Sequence, residues 1–439
     1  MSQKHPFIRG ALILTLTGFL SRIIGFFYRV FLSHTIGAEG LGLYQLIFPI
    51  QTLCMALTTA GIQTAISRFV AAKSALKDNN GANDMFLGGC GLSLVLSIAA
   101  AWLLRKNAGF ISQVFLTEPR CEPLLHLMAL GLPLSTIHSC ITSYYFARKE
   151  TAVPSGIQLL EQVVRVGSSW LVCQIFLSEG REITPVIAVV GMIASELSAS
   201  FVSLLLMSGK LRGQNYRLTS LAAPCSHLGQ ILTMALPLTA NRVLLTLLTS
   251  VETILIPNRL RVFGLGASEA LSVYGVLTGM ALPLILFPST ITNSVAVMLL
   301  PSVAELQALG NQKKIRQTTH TIIRCCLGLG VICTLGFFTF SHFLGTTLFH
   351  SPMASEFVRP LAFICPFLYL NTTVSSILNG LGKTSVCFVH NVASVAVRLS
   401  FVVLGIPVFG ITGYLWGILL GELLLCLLNC RALYRYLQR

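Results

Sequence analysis

Apolar runs of about twenty residues alternate with short polar breaks along the whole chain, the length a helix needs to cross a bilayer. Read as helices, the runs predict about twelve spans. They fall at 8–33, 41–70, 85–104, 122–147, 153–177, 185–207, 228–256, 270–300, 321–345, 357–379, 385–408 and 411–433. The second and eighth exceed the bilayer thickness and are expected to tilt or project beyond it. The breaks are too short to hide a soluble catalytic domain.

Composition agrees with the pattern. Hydrophobic residues make up 54% and charged residues 10% of the 439, against about 25% charged in soluble domains. The chain is expected to be an all-α integral membrane protein. The first run continues past Arg22 with no small-residue cleavage site after it, so it reads as a span rather than a cleaved signal. The cysteines form no spaced framework and no CxxC pair, and lie mostly inside apolar runs as small hydrophobes. No Walker loop, dinucleotide fingerprint, nucleophile elbow or HExxH occurs. Neither enzyme chemistry nor a metal or cofactor is expected.

The net charge of +15 suggests orientation in a membrane rather than nucleic acid, because most basic residues lie in the breaks. One alternate set of breaks holds 17 Lys and Arg, among them Lys73, Lys77, Arg148, Lys149, Lys210, Arg217 and Arg439; the other holds 7. The excess places both termini in the cytoplasm of a multi-pass protein of the cell membrane.

The halves repeat one another. Pro133, Thr151 and Arg165 recur as Pro366, Thr384 and Arg398, offset by 233 residues. Ala38-Glu39 and Tyr44 recur as Ser268-Glu269 and Tyr274, offset by 230. Two six-helix lobes follow, 1–226 and 227–439, related by a pseudo-two-fold axis along the membrane normal. Parallel repeats of this kind place a substrate site at the repeat interface and work by alternating access. That is a transporter's architecture.

Six basic residues fall inside spans: Arg22, Arg29, Arg68, Arg165, Arg242 and Arg398. Charges there are costly and mark function by default. Gly18, Arg22, Gly25 and Arg29 share one face of the first span. Arg242 lies on the seventh, its repeat counterpart, with Thr246 and Thr249 near its face. Together they suggest a cationic cavity. The plainer alternatives are that Arg29 snorkels to headgroups, that Arg22 pairs with a carboxylate, and that Arg68 is a headgroup anchor. Glu161 and Arg165, four apart, can neutralise each other. Glu196, Glu252 and Glu422 have no obvious local partner, and Glu252 and Glu196 are candidates for ion or proton coupling. Glu39 and Glu269 read as helix caps, and His138 and His390 as structural histidines. Arginine clusters suit phosphates, because a guanidinium offers several donors in one plane.

The segments SRIIGFFYR, IGAEGLGLYQ and PLTANRVLLTLLTSVETILIPNRL resemble the stage V sporulation protein B and polysaccharide-biosynthesis family. That family lies within the MATE-like multidrug/oligosaccharidyl-lipid/polysaccharide superfamily. The resemblance implies a flippase for undecaprenyl-pyrophosphate-linked saccharide, such as a peptidoglycan precursor for the spore cortex. It further implies membrane lipids as partners, and cell-wall synthesis proteins alongside. Ser21-Arg22 and Arg29 match the arginine pattern of the lipid II flippase in type, the second arginine standing one residue further along. That flippase has two further C-terminal helices, which this chain is expected to lack. The candidate substrate-binding residues are Arg22 and Arg29, which match that pattern, with Arg68 and Arg242 from the intramembrane charges. The alternatives are a cation-coupled multidrug exporter of the same superfamily and a non-transporting scaffold of a cell-wall assembly complex.

Overall fold

In hydrocarbon, backbone N–H and C=O groups must pair within their own segment, so apolar runs fold as helices. The computed structural model describes residues 4–214, 216, 228–309 and 311–438, and no strand occurs among them. Arg217, Arg439 and the expected boundary at 226/227 lie outside the described residues.

The main helices are α1 (Lys4–Leu46), α2 (Gly61–Ala75), α3 (Asn79–Lys106), α4 (Glu122–Ala147), α5 (Ala152–Ser178), α6 (Val186–Gly213) and α7 (Leu228–Phe263). There follow α8 (Ala267–Gly275), α9 (Ser289–Ala308), α10 (Gln312–His342), α11 (Cys365–Gly380), α12 (Thr384–Ser400) and α13 (Ile411–Gln438). Asp78 caps α3 by accepting from Gly81 N–H at 2.9 Å, and Asn311 caps α10 from Lys314 N–H at 3.1 Å. Glu269 lies in the first turn of α8, where a negative charge suits the helix dipole, but its side chain does not cap.

Among the described residues, ten helical stretches are long and apolar enough to cross a membrane, against about twelve expected. The first, Thr15–Ala75, runs 61 residues, or about 90 Å at 1.5 Å per residue, and is long enough for two crossings. The 27-residue α5 is long enough but insufficiently apolar, because Glu161, Gln162 and Arg165 dilute its centre.

The chain divides into two compact units. The first comprises Met1–Tyr28 and Leu46–Val251. There α4 packs on α2, α3 and α6, and α5 packs on α6. Ile62, Ile66, Met85, Phe86, Ile141 and Tyr144 form its core. The second comprises Arg29–Gln45 and Glu252–Arg439. There α11 packs on α9, α10 and α13, and α12 packs on α13, around Val303, Ile315, Val374 and Ile377. Each unit has the same neighbour scheme once α4 is matched to α11 and α5 to α12, which supports the repeat. Val95, Ile98 and Trp102 of α3, and Val331, Ile332 and Leu335 of α10, are each more than half exposed, a surface suited to lipid.

Glycine explains part of the IGAEGLGLYQ segment. Gly37 breaks α1 at φ 68°, ψ −177°, a conformation that costs glycine little. Beyond it, a Cβ on Gly42 would run into the Leu271 carbonyl, and one on Gly275 into the Ala38 carbonyl. The Tyr274 hydroxyl donates to the Gln45 carbonyl at 3.5 Å. Thus two segments matched by the repeat, around Ala38–Tyr44 and Ser268–Tyr274, lie backbone against backbone inside the second unit.

Candidate functional site

In the first unit, three helices bring charge to one place. Glu161 and Arg165 are one turn apart on α5 and form an ion pair. Arg165 Nε also donates to Ser195 Oγ of α6 at 3.3 Å. The neighbouring α6 residue, Glu196, lies 3.0 Å by its Oε2 from Nδ1 of His138 on α4. All four side chains are mostly buried, at 20% exposure or less. With His138 neutral, the cluster holds two carboxylates and one guanidinium. A proton on His138 balances the cluster.

His138, Glu161 and Glu196 of this cluster line a cavity of about 690 Å³. Ser135 and Ser139 of α4 join them, and Gln51, Thr59 and Gln63 line it too. Thr59 comes from a π-helical turn, Ala56–Ala60, and its hydroxyl lies 3.1 Å from that of Thr136. Wide turns of this type recur at functional sites. Arg242, Thr246 and Thr249 of α7 share one helix face and also line the cavity. Arg242 is exposed and makes no ion pair with another described residue. A polar cavity with one uncommitted guanidinium can receive an anion.

The second unit holds a closed counterpart. Arg398 of α12 faces Glu252 two-pronged, Nε 3.0 Å from Oε1 and Nη2 donating to Oε2 at 3.2 Å. The Tyr414 hydroxyl donates to Glu252 Oε1 at 2.9 Å. Arg398 Nη1 also donates to Glu422 Oε1 at 3.5 Å, and Asn371 Nδ2 donates to Glu422 Oε2 at 2.7 Å. Glu252, Glu422, Tyr414 and Asn371 are buried. This network, with two carboxylates and one guanidinium, has most of its capacity taken up internally.

Of the four arginines expected to bind substrate, Arg242 alone lines the cavity. Arg22 and Arg68 belong to the first unit and Arg29 to the second. Arg22 is exposed on α1, and the face bearing Gly25 runs along α5: Gln162 Oε1 stands 3.7 Å from where a Gly25 Cβ would lie. Tyr28 follows on α1, its hydroxyl 2.9 Å from that of Ser169. Arg68, exposed on α2, approaches Met234 Sδ at 3.9 Å. Glu196 reaches the cavity and Glu252 sits in the closed network. Sequence reasoning left His138 without a partner and missed Arg398, Asn371 and Tyr414 as a group. The signal was present: His138 and Asn371 are separated by the same 233 residues as Arg165 and Arg398.

The polysaccharide biosynthesis protein family model matches residues 7–307, and the MatE model matches residues 232–408. Stage V sporulation protein B of Bacillus subtilis (strain 168) is 28% identical over 442 residues, covering 99% of this chain and 85% of that one. Among solved structures, the lipid II flippase MurJ in an inward closed conformation matches with a TM-score of 0.74 at 14% identity. That match covers 96% of this chain and 87% of the other. A multidrug resistance MATE family transporter of the MOP superfamily, inward-facing, matches with a TM-score of 0.70 at 15% identity, covering 96% and 94%. These two are named for transport, not for enzyme chemistry, and the likeness establishes a MATE-like, multi-pass membrane fold. With more than half its length matched, the chain belongs to the polysaccharide biosynthesis protein family.

Proposed function

We propose that the protein is a flippase. Its substrate is undecaprenyl-pyrophosphate-linked saccharide, a peptidoglycan or polysaccharide precursor, moved from the inner to the outer leaflet by alternating access of two repeats, 1–226 and 227–439. The observation that carries the reading is Arg242. It opens on a polar cavity with no carboxylate in ion-pair contact, whereas Arg165 and Arg398 are each neutralised by glutamates. A pyrophosphate offers the multiple acceptors a guanidinium binds best. Arg22, Arg29 and Arg68 would serve the same headgroup at other stages of its passage. Of the two coupling residues, Glu196 opens on the cavity and takes the exchanging role, and Glu252 is engaged in the Arg398 network of the second unit. Both termini are cytoplasmic. The match to a sporulation protein and a lipid II flippase supports a place in spore cortex synthesis, beside cell-wall synthesis proteins.

The test is flipping of a lipid-linked saccharide by purified protein in liposomes, wild type against Arg242→Ala and Arg22→Ala. Loss of one charge-assisted contact weakens binding by about tenfold or more. Unchanged binding and flipping in both variants refutes the assignment. The second reading, a cation-coupled multidrug exporter, is favoured by Glu161 and Glu196 on the same cavity wall. It requires transport of an organic cation that is lost in Glu196→Gln and retained in Arg242→Ala.

A further inference from the structure

The two charged clusters share an arginine and a neighbouring polar side chain at positions 233 residues apart, while their carboxylates, Glu161 and Glu196 against Glu252 and Glu422, come from unmatched positions. Each has a guanidinium on the fifth helix of its half, Arg165 paired with Glu161 or Arg398 paired with Glu252 and Glu422. A fourth polar side chain stands beside one carboxylate, at positions 233 residues apart. In the second unit it is Asn371, which donates a hydrogen bond and cannot take up a proton. In the first unit it is His138, the side chain whose charge changes most readily near neutral pH. The second cluster is sealed by Tyr414 and Asn371, whereas His138, Glu161 and Glu196 border open cavity.

We propose that His138 and Glu196 form a proton site, and that its occupancy sets how strongly Arg242 binds an anion. This rests on the reading that Arg242 receives the substrate's pyrophosphate. The charged groups around His138 are Glu196 on α6 and Glu161 and Arg165 on α5, and Arg242 on α7 lines the same cavity. With His138 neutral the wall carries one uncompensated carboxylate charge, which attracts Arg242 and repels an incoming anion. A proton on His138 cancels it. The anion then meets Arg242 beside a neutral wall. A cavity of about 690 Å³ is about 11 Å across if spherical, close to the Debye length of about 8 Å, so its walls feel each other's charge. One unit charge over that span, at an effective dielectric near 20, changes affinity by up to about tenfold. Binding is reciprocal: the anion must tighten the hold on the proton by the same factor. Proton binding and substrate loading are therefore coupled in one cavity.

The experiment uses the full chain in nanodiscs with undecaprenyl pyrophosphate as probe, at about pH 6 and about pH 8, spanning the usual histidine range. Wild type is compared with His138→Asn, which copies the other repeat, with Glu196→Gln, and with His126→Asn as a control on the same helix. The ratio of affinities at the two pH values in His138→Asn reports the titration of the lipid's own phosphates. The expected ratio in wild type, favouring the lower pH, is up to about tenfold greater, and His126→Asn keeps it. NMR of the histidine rings should show His138 titrating, with its midpoint moved in Glu196→Gln. Equal ratios in wild type and His138→Asn, or a His138 ring that does not titrate, overturn the proposal. If the ratios are equal while Arg242→Ala still weakens binding, the flippase reading stands alone. If wild type binds no lipid at either pH, the flippase reading falls, and the ring titration decides the proton site by itself.

Discussion

Removing Arg398 should unfold the second unit far more readily than neutralising either of its partners. In Arg398→Ala, Glu252 and Glu422 keep their charges at 4% and 10% side-chain exposure, with no cation left between them. Breaking a buried ion pair from one side costs about 3–5 kcal/mol, because the abandoned charge has lost both water and partner. Here two carboxylates are abandoned, so the upper half of that range applies. Glu252→Gln acts differently. The amide oxygen in the Oε1 place still accepts from Tyr414 and faces Arg398 Nε, the acceptor for Arg398 Nη2 is lost, and the cluster goes from one excess negative charge to balance. The net change should stay within about 1 kcal/mol, the worth of an ordinary hydrogen bond. At about 2 °C per kcal/mol for a large domain, Arg398→Ala lowers Tm by roughly 8–10 °C and Glu252→Gln shifts it by at most about 2 °C. Tryptophan fluorescence of the detergent-solubilised protein during heating measures both. If Glu252→Gln proves as damaging as Arg398→Ala, or Arg398→Ala melts like wild type, the charge argument is wrong.

Other outcomes follow from single contacts. Gly275→Leu should abolish folded protein, because its side chain would have to occupy the space of the Ala38 carbonyl and Gly42; Gly18→Ala, open within 4 Å, should be tolerated, and size-exclusion profiles compare them. Tyr28→Phe removes the 2.9 Å bond to Ser169 and should cost about 1 kcal/mol in a melting series, without altering flipping. A reporter active only outside the cytoplasm should be silent when fused after residue 438, as the basic residues of alternate breaks require.

The membrane class and most helix positions were legible, because bilayer thickness imposes a run length that composition must obey. The Glu161–Arg165 pair was legible too, since helix geometry puts residues four apart on one face. Glu252 and Arg398 were not: their contact joins positions 146 apart in sequence, and no local rule brings them together. His138 was read as merely structural because its partner, Glu196, comes from a helix two further along. Gly37 and Gly42 looked like family signature and proved to be geometry, a break and a close backbone approach to the segment of Gly275. The expected arginine group resolved unevenly. Arg242 reached a cavity, while Arg22 and Arg68 stand elsewhere in the same unit.

The modest apolarity of α5 has a consequence for how the chain is made. A helix carrying Glu161 and Arg165 near its centre enters a bilayer reluctantly when it leaves the ribosome alone, since each such charge opposes insertion by about 2.5–3.5 kcal/mol. The next helix supplies the remedy. Gly191 of α6 sits so close to α5 that a Cβ would strike Ser169 and the Arg165 carbonyl, and Ser195 accepts from Arg165. The pair is therefore suited to integrate as a hairpin, with the first helix waiting at the translocon for the second. A nascent chain stopped after Ser178 should leave α5 largely outside the membrane, and one extended past Gly213 should carry both helices in together.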